Sequence, residues 1–270
     1  MRSILPREVS SPTNSLLKVF RRALAGGTTK EGWLAVEGPF LVEEALNAAP
    51  GVKTHSVLVA SGAMEKFSAL LQRLPAEAEL TQVPNRLFER VAQTQSTQGI
   101  AALVELTAYK LEQVVAAANP LLVIACRLQD PGNLGTMMRT ALAFSASAFL
   151  TLQETVSPFN PKAVRSSAGA IFRLPLVCGL DPNVALPFLS RRVRIVAAER
   201  NSPASLSQAD LRGPIAILVG REATGLPEEI ARYASQLLSI PIRKEVDSVN
   251  AATAASIFLY EAARQRGFRY

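Results

Sequence analysis

The 270-residue chain holds one histidine, His55, and two cysteines, Cys126 and Cys178. So little histidine argues against a His-based catalytic triad and against a histidine-rich zinc site, and no metal is expected. The cysteines are far apart, form no C-x-x-C spacing and lie beside apolar runs. They read as inert core thiols in a reducing compartment. No apolar run reaches the ~20 residues that span a bilayer, and the opening MRSILPREVS carries no apolar signal core. The expectation is a cytoplasmic protein without membrane contact. The chain also lacks internal repeats, a GxGxxG fingerprint and the Lys-Ser/Thr ending of a phosphate loop, so neither a dinucleotide fold nor a P-loop NTPase is supported.

What is present is a folded, basic chain. Hydrophobic residues make up 49% and charged residues 19%, which calls for a core rather than disorder. The formal charge of +7 favours a polyanionic partner such as nucleic acid. Residues 1–11 read as a flexible tail. "SLLKVFRRAL" has apolar residues at helical spacing with Lys18, Arg21 and Arg22 between them. These three track a nucleic-acid backbone or form a solvated face. "GWLAVEG", "HSVLVA" and "QGIAALVEL" read as strands. "PFLVEEALNA", "MEKFSALLQRL" and "RLFERVAQ" read as helices. Residues 12–106 are thus a small α/β domain, with Trp33 in its core, and 107–119 a linker.

Residues 120–270 alternate more clearly. "LLVIAC", "SAFLTL", "RIVAAE", "IAILVG" and "LLSIPI" are apolar runs of strand length, separated mostly by helical segments at 133–144, 161–169, 226–234 and 249–266. The pattern predicts a doubly wound, mostly parallel sheet, whose ligands bind beyond the carboxyl ends of the strands. Three unusual segments fall there: DPGNLGTMMR, GREATGLPEE and IPIRKEVDSVNAAT. In the first, Asn133 can cap a helix. Arg139 lies one turn after the small Gly135, which leaves space at its guanidinium. It is either a functional cation or an arginine snorkelling from an ordinary helix. In the second, Gly220 and Gly225 let backbone amides face a ligand, or simply form a turn. In the third, Asp247 or Ser248 can cap a helix, and Asn250 sits at its start. Lys162 and Arg165, in "NPKAVRSSAGA", contact phosphates or are merely surface.

Together the three segments resemble the motifs of the SpoU (TrmH-like) family of RNA ribose 2′-O-methyltransferases in the SPOUT superfamily. "DPGNLGTMMRTALAF" matches at Asn133, Gly135 and Arg139. "LVGREATGL" matches at Gly220, Glu222, Gly225 and Leu226. "IPIRKEVDSVNAATAASIFLYEAARQR" matches at Ile240, Pro241, Ser248 and Asn250. Residues 12–106 resemble the family's RNA substrate-binding domain through "WLAVEGPFLVEEAL" and "LFERVAQTQSTQGIAALVE". Departures are small: Ala223 and Ser145 stand where the family usually has Gly, and Val249 where it has Leu.

The resemblance implies a deep trefoil knot in the C-terminal domain, a homodimer and bound S-adenosylmethionine. Gly220, Ile240, Val249, Leu218 and Leu226 would line the cofactor site. Arg139, Asn133, Glu222, Ser248 and Asn250 would serve catalysis. Lys18, Arg21, Arg22, Lys162 and Arg165 would bind RNA. The implied reaction is methyl transfer to a ribose 2′-hydroxyl, with ribosomal RNA the first candidate substrate and tRNA the second. Two alternatives differ in class: a non-catalytic RNA-binding or ribosome-assembly protein of the same fold, and a basic α/β enzyme acting on another anion.

Overall fold

The structure, a computed structural model, describes residues 6–48, 51–221 and 225–268. Its contacts divide the chain into two compact units: residues 1–107 with 159–165, and residues 108–158 with 166–270.

In the first unit the elements run β1 (Arg7–Glu8), α1 (Ser15–Gly26), β2 (Leu34–Glu37), α2 (Pro39–Asn47), β3 (Val52–Ala60), α3 (Ser68–Leu71), β4 (Glu79–Val83), α4 (Asn85–Glu89) and β5 (Ile100–Leu106). The strands form one mixed sheet in the order β1-β4-β3-β5-β2. Its centre is β3 and β5, whose apolar runs pair antiparallel and bury Val57, Leu58, Ile100 and Ala101 completely. Helix α1 turns Leu17, Phe20, Ala23 and Leu24 inward and leaves Lys18, Arg21 and Arg22 exposed. Asn14 caps it, and it stops at Gly27, whose φ of 98° favours glycine. At the end of β2, the Glu37 carboxylate accepts from the Gln93 amide at 2.8 Å and from the Thr94 hydroxyl. That carboxylate ties together the two stretches that carried the resemblance in this domain. Trp33 is half-buried and stacks on His55 at 3.8 Å, and His55 in turn pairs with Glu105.

Three expectations are corrected in this unit. Residues 1–11 are not all tail: Arg7–Glu8 pairs parallel with β4 and Val9 is buried. The helix read over "MEKFSALLQRL" shrinks to the single turn α3, and β4 follows it unannounced. Finally, residues 159–165 group with the first unit, although the alternation of the second half had claimed them.

The second unit runs α5 (Leu111–Val114), β6 (Leu121–Ala125), α6 (Pro131–Ala143) and β7 (Ala148–Leu152). After the segment bearing α7 (Pro161–Ser166) come β8 (Leu176–Leu180), α8 (Pro182–Ser190), β9 (Arg194–Ala198), β10 (Ile215–Val219), α9 (Glu228–Ala231), β11 (Gln236–Leu238) and α10 (Ala251–Gln265). The six strands form a parallel sheet in the order β11-β9-β10-β6-β7-β8. Strands β6, β7 and β10 are buried along their whole length, as their unbroken apolar runs require. Helices α6 and α10 pack on one another, and Ser256 donates to the Thr140 hydroxyl at 3.1 Å between them. The half-buried Arg266 donates to the carbonyls of Asn119, Leu211 and Gly213. It thereby fastens the end of α10 to the segments entering β6 and β10.

Strand β8 and helix α8 escape the periodicity. The strand is a half-exposed edge and the helix contains Pro187. Cys126 is buried as expected, but Cys178 on β8 is exposed, because an edge strand shows one side to solvent. Among the described residues no helix is long and apolar enough to cross a membrane, and no cluster of His, Cys, Asp or Glu suits a metal.

Candidate active site

The carboxyl ends of β9, β10 and β11 surround a cavity of about 290 Å³. That is near the lower end of the range for small-molecule pockets, about 300–1,000 Å³. Strand β9 supplies Ala198, Glu199, Arg200 and Asn201; β10 supplies Val219, Gly220 and Arg221, with Gly225 behind them; β11 leads to Leu238, Ile240 and Ile242. Ser248 and Val249 close it, and α10 forms the floor with Ala251, Ala254 and Phe258. Apolar side chains and small residues thus line a slot together with backbone groups and, among the described residues, the charged side chains of Glu199, Arg200 and Arg221.

Backbone geometry explains the glycines. A Cβ on Gly220 would lie 2.5 Å from the Gly225 carbonyl oxygen, so only glycine fits. Gly225 has φ +65° and its amide donates to the Arg221 carbonyl at 3.0 Å, closing a tight loop. Glu222 and Ala223 lie inside that loop and outside the described residues.

The first and third segments meet at the helix starts. Asn250, not Asp247 or Ser248, caps α10: its Oδ1 accepts from the Ala252 and Thr253 amides at 2.9 and 3.2 Å. That role fixes the orientation of its amide, so Nδ2 points outward and donates to Asn133 Oδ1 at 3.0 Å. The cap of α6 is Asp130 rather than Asn133, which lies in the first turn. A second tie is charged. Arg127, after β6, pairs with Glu154 after β7 at 3.1 Å and with Glu229 on α9 at 3.4 Å.

Gly220, Ile240, Val249 and Ser248 therefore line the cavity, and Asn250 and Asn133 are joined beside it. Leu218 and Leu226 do not line it; both belong to the apolar core of the unit. Arg139 is not in the lining either. It stands exposed on α6, near Thr136 and Ala143 on the same side, and makes no side-chain hydrogen bond or ion pair among the described residues. Gly135 is buried, so it is not an opening in front of Arg139. Lys18, Arg21, Arg22, Lys162 and Arg165 are all exposed, and all fall in the first unit. Leu24 of α1 and Val164 of α7 line one small crevice there.

Sequence reasoning missed Glu199, Arg200 and Asn201. The available signal was the strand "RIVAAE" itself, since a strand in a doubly wound sheet delivers its last residues to the ligand side. Cys126, just past β6, is no nucleophile: burial pushes its thiol up to about 11, which keeps it protonated.

Comparison with known proteins follows the same division. A sequence model of the SpoU rRNA methylase family matches residues 120–260, and one of the MRM3-like substrate-binding domain matches residues 28–102. A protein of Synechocystis sp. named an uncharacterized tRNA/rRNA methyltransferase is 30% identical over 262 residues, covering 96% of this chain and 94% of its own. The 23S rRNA (guanosine(2553)-2′-O)-methyltransferase RlmP of Bacillus subtilis is 29% identical over 94% of this chain and 98% of its own. The crystal structure of the SpoU methyltransferase AviRb from Streptomyces viridochromogenes, in complex with the cofactor AdoMet, superposes with a TM-score of 0.84. It is 26% identical, with 94% of this chain and 98% of that one covered.

Proposed function

Because the chain belongs to the SpoU rRNA methylase family, we propose that it methylates a ribose 2′-hydroxyl of ribosomal RNA with S-adenosylmethionine. The observation that carries this reading is the convergence of the strand-end segments on one cavity, with Asn133 joined to Asn250 at the helix starts beside it.

The cavity suits that cofactor. Ile240, Leu238 and Phe258 offer apolar surface to a flat base, the glycine-bounded loop offers backbone groups, and Glu199 offers a carboxylate to a cation. Gly220, Ile240, Val249 and Ser248 would hold it. When bound, S-adenosylmethionine supplies an electrophilic methyl group.

What remains for the protein is to position and stabilise the oxygen nucleophile. Displacement at carbon needs the oxygen in line with the leaving sulfur, so orientation is a large share of the catalysis. Arg139 is the residue for that oxygen. Its guanidinium stays protonated, so it acts as an electrostatic clamp on the developing alkoxide and the neighbouring phosphate rather than as a base. Asn133, Asn250 and Glu222 orient the segments around it.

RNA is bound in part by the first unit, through Lys18, Arg21, Arg22, Lys162 and Arg165, all on helices of that unit. A homodimer belongs to the same reading. It is supported by an exposed aromatic edge on the second unit, where Tyr260 contacts Phe144 and Phe268 at 5.8 Å each. Family likeness also supports a trefoil knot formed by the chain after β10. Cytoplasmic action on ribosomal RNA completes the proposal.

The test is methyl transfer from labelled cofactor to ribosomal RNA from cells lacking the gene, followed by mapping of 2′-O-methyl sites. Arg139→Ala should lower kcat about a hundred- to a thousand-fold while cofactor affinity holds. Near-normal turnover by a folded variant would remove Arg139 from the mechanism.

A further inference from the structure

The end of the sheet away from the cavity carries a second site. The turn from α8 into β9, the turn from α9 into β11 and the residue before β10 enclose a groove of about 470 Å³. Arg191, Arg192, Arg194 and Arg232 line it, with Tyr233, and no carboxylate does. All four arginines are exposed.

Among the described residues none of the four is in an ion pair. Their hydrogen bonds go elsewhere. Arg192 donates to the Phe188 carbonyl, Arg194 to the Asp210 carbonyl and Arg232 to the Tyr233 hydroxyl. The carboxylate of Asp210 is hydrogen-bonded to Arg212, which lies outside the groove, and is also close enough to Arg194 to be stabilised by its charge. Two of the groove guanidiniums are also preset against rings: Arg192 lies 3.7 Å above Phe188, and Arg232 lies 5.0 Å from the centre of Tyr233. Presetting lowers the entropy lost when a long side chain binds.

Four exposed arginines on one groove, with only the Asp210 carboxylate among the described residues close to one of them, form a positive surface that an anion complements. One phosphate is satisfied by one or two guanidinium forks. Four in one open groove suit a run of phosphates. We infer that this groove is a second RNA contact, gripping the phosphodiester backbone of the substrate at the end of the sheet opposite the methyl-transfer cavity. The five residues of β9 separate the two sites by about 15 Å. The contact is to backbone, so it carries affinity and salt dependence but no base specificity. The inference rests on RNA being the partner, though not on turnover.

The experiment measures binding and turnover separately. Ribosomal RNA from cells lacking the gene is retained on filters at several KCl concentrations by the wild type and by the triple variant Arg191→Gln, Arg192→Gln, Arg232→Gln. Arg194 is left in place because its bond to the Asp210 carbonyl joins two separate segments, whereas the bonds of Arg192 and Arg232 stay within four residues. The slope of log affinity against log salt should fall by about 2–3, and low-salt affinity about tenfold or more. Cofactor affinity should not move, and the thermal midpoint should fall only slightly, by the loss of the local Arg192 and Arg232 contacts, and equally in RNA-free protein. The corresponding triple lysine variant should keep most of the slope. The proposal is overturned by an unchanged slope and affinity, by a lysine variant that fails as the glutamine one does, or by displacement of RNA with an equal concentration of inorganic phosphate. If the wild type binds RNA but transfers no methyl group, the enzymatic reading fails while these binding results still decide the groove.

Discussion

Strands β9, β10 and β11 run from one kind of surface to another. At their carboxyl ends the chain turns on Gly220 and Gly225, lines a cavity with Ile240, Val249 and Phe258, and admits the carboxylate of Glu199. At their amino ends it presents four arginines and no carboxylate. The same few residues of strand thus separate a cavity of mixed apolar and charged lining from a groove whose charged side chains are all arginines. Parallel strands make this division natural: every carboxyl end falls on one side, every amino end on the other, and the connecting turns at each end are free to differ. The lesson is that one sheet can hold a small ligand by shape at one end and a polymer by charge at the other.

The sharpest way to break this comparison is Gly220→Ala. The added methyl meets backbone, not a movable side chain. Relief requires the 221–225 loop to shift, at about 1–3 kcal/mol. Calorimetry should therefore show cofactor affinity reduced about ten- to a hundred-fold. The salt slope of RNA binding should stay at the wild-type value. A loss at both ends together would mean that the two surfaces are not independent. Smaller in effect is Asn250, whose side chain does two tasks at once. Asn250→Ala removes the α10 cap and the tie to Asn133, lowering stability by about 0.5–2 kcal/mol and turnover with it. Asn250→Ser keeps a capping oxygen but loses the amide that reaches Asn133. In a denaturant titration it should nearly match the wild type, while kcat still falls. Equal recovery of both would reduce the Asn133–Asn250 bond to an ornament of the cap.

The two ends were not equally legible in the sequence. The carboxyl end was, because its signals are local: glycines beside an apolar run, and polar residues opening an otherwise apolar helix. Gly220, Gly225 and Asn250 could be picked out that way before any fold was known, whereas Ile240 and Val249 came only from the family resemblance. The capping assignments were not legible, because Asp130 and Asn133, or Ser248 and Asn250, are all good caps and only the backbone decides among them. For Glu199 the strand "RIVAAE" placed it on the ligand side, but its entry into this cavity depends on β9 lying between β10 and β11, which is a matter of strand order. Nor could residues 159–165 be given to the first unit, since their alternation looked like its surroundings. The arginine groove joins "SRRVR" to Arg232 across about 40 residues of sequence, so neither stretch stood out alone.

The last and smallest test concerns a residue at the amino end that serves neither surface. Helix α6 ends in a Schellman turn: Ala146 donates to the Ala141 carbonyl at 2.8 Å and Ser145 to Leu142 at 3.1 Å. That turn needs a left-handed residue, and Ser145 provides it at φ 56°. The family resemblance puts glycine there. A serine in that region pays a steric cost from its Cβ, while glycine loses more freedom on folding. For a turn already closed by two backbone bonds, the relieved strain should be the larger effect. Ser145→Gly should then raise stability by about 0.5–1 kcal/mol in a denaturant titration, with cofactor affinity and salt slope both unmoved. A change in either ligand would show that strain at the end of α6 reaches the binding surfaces, and the division between the two ends of the sheet would have to be redrawn.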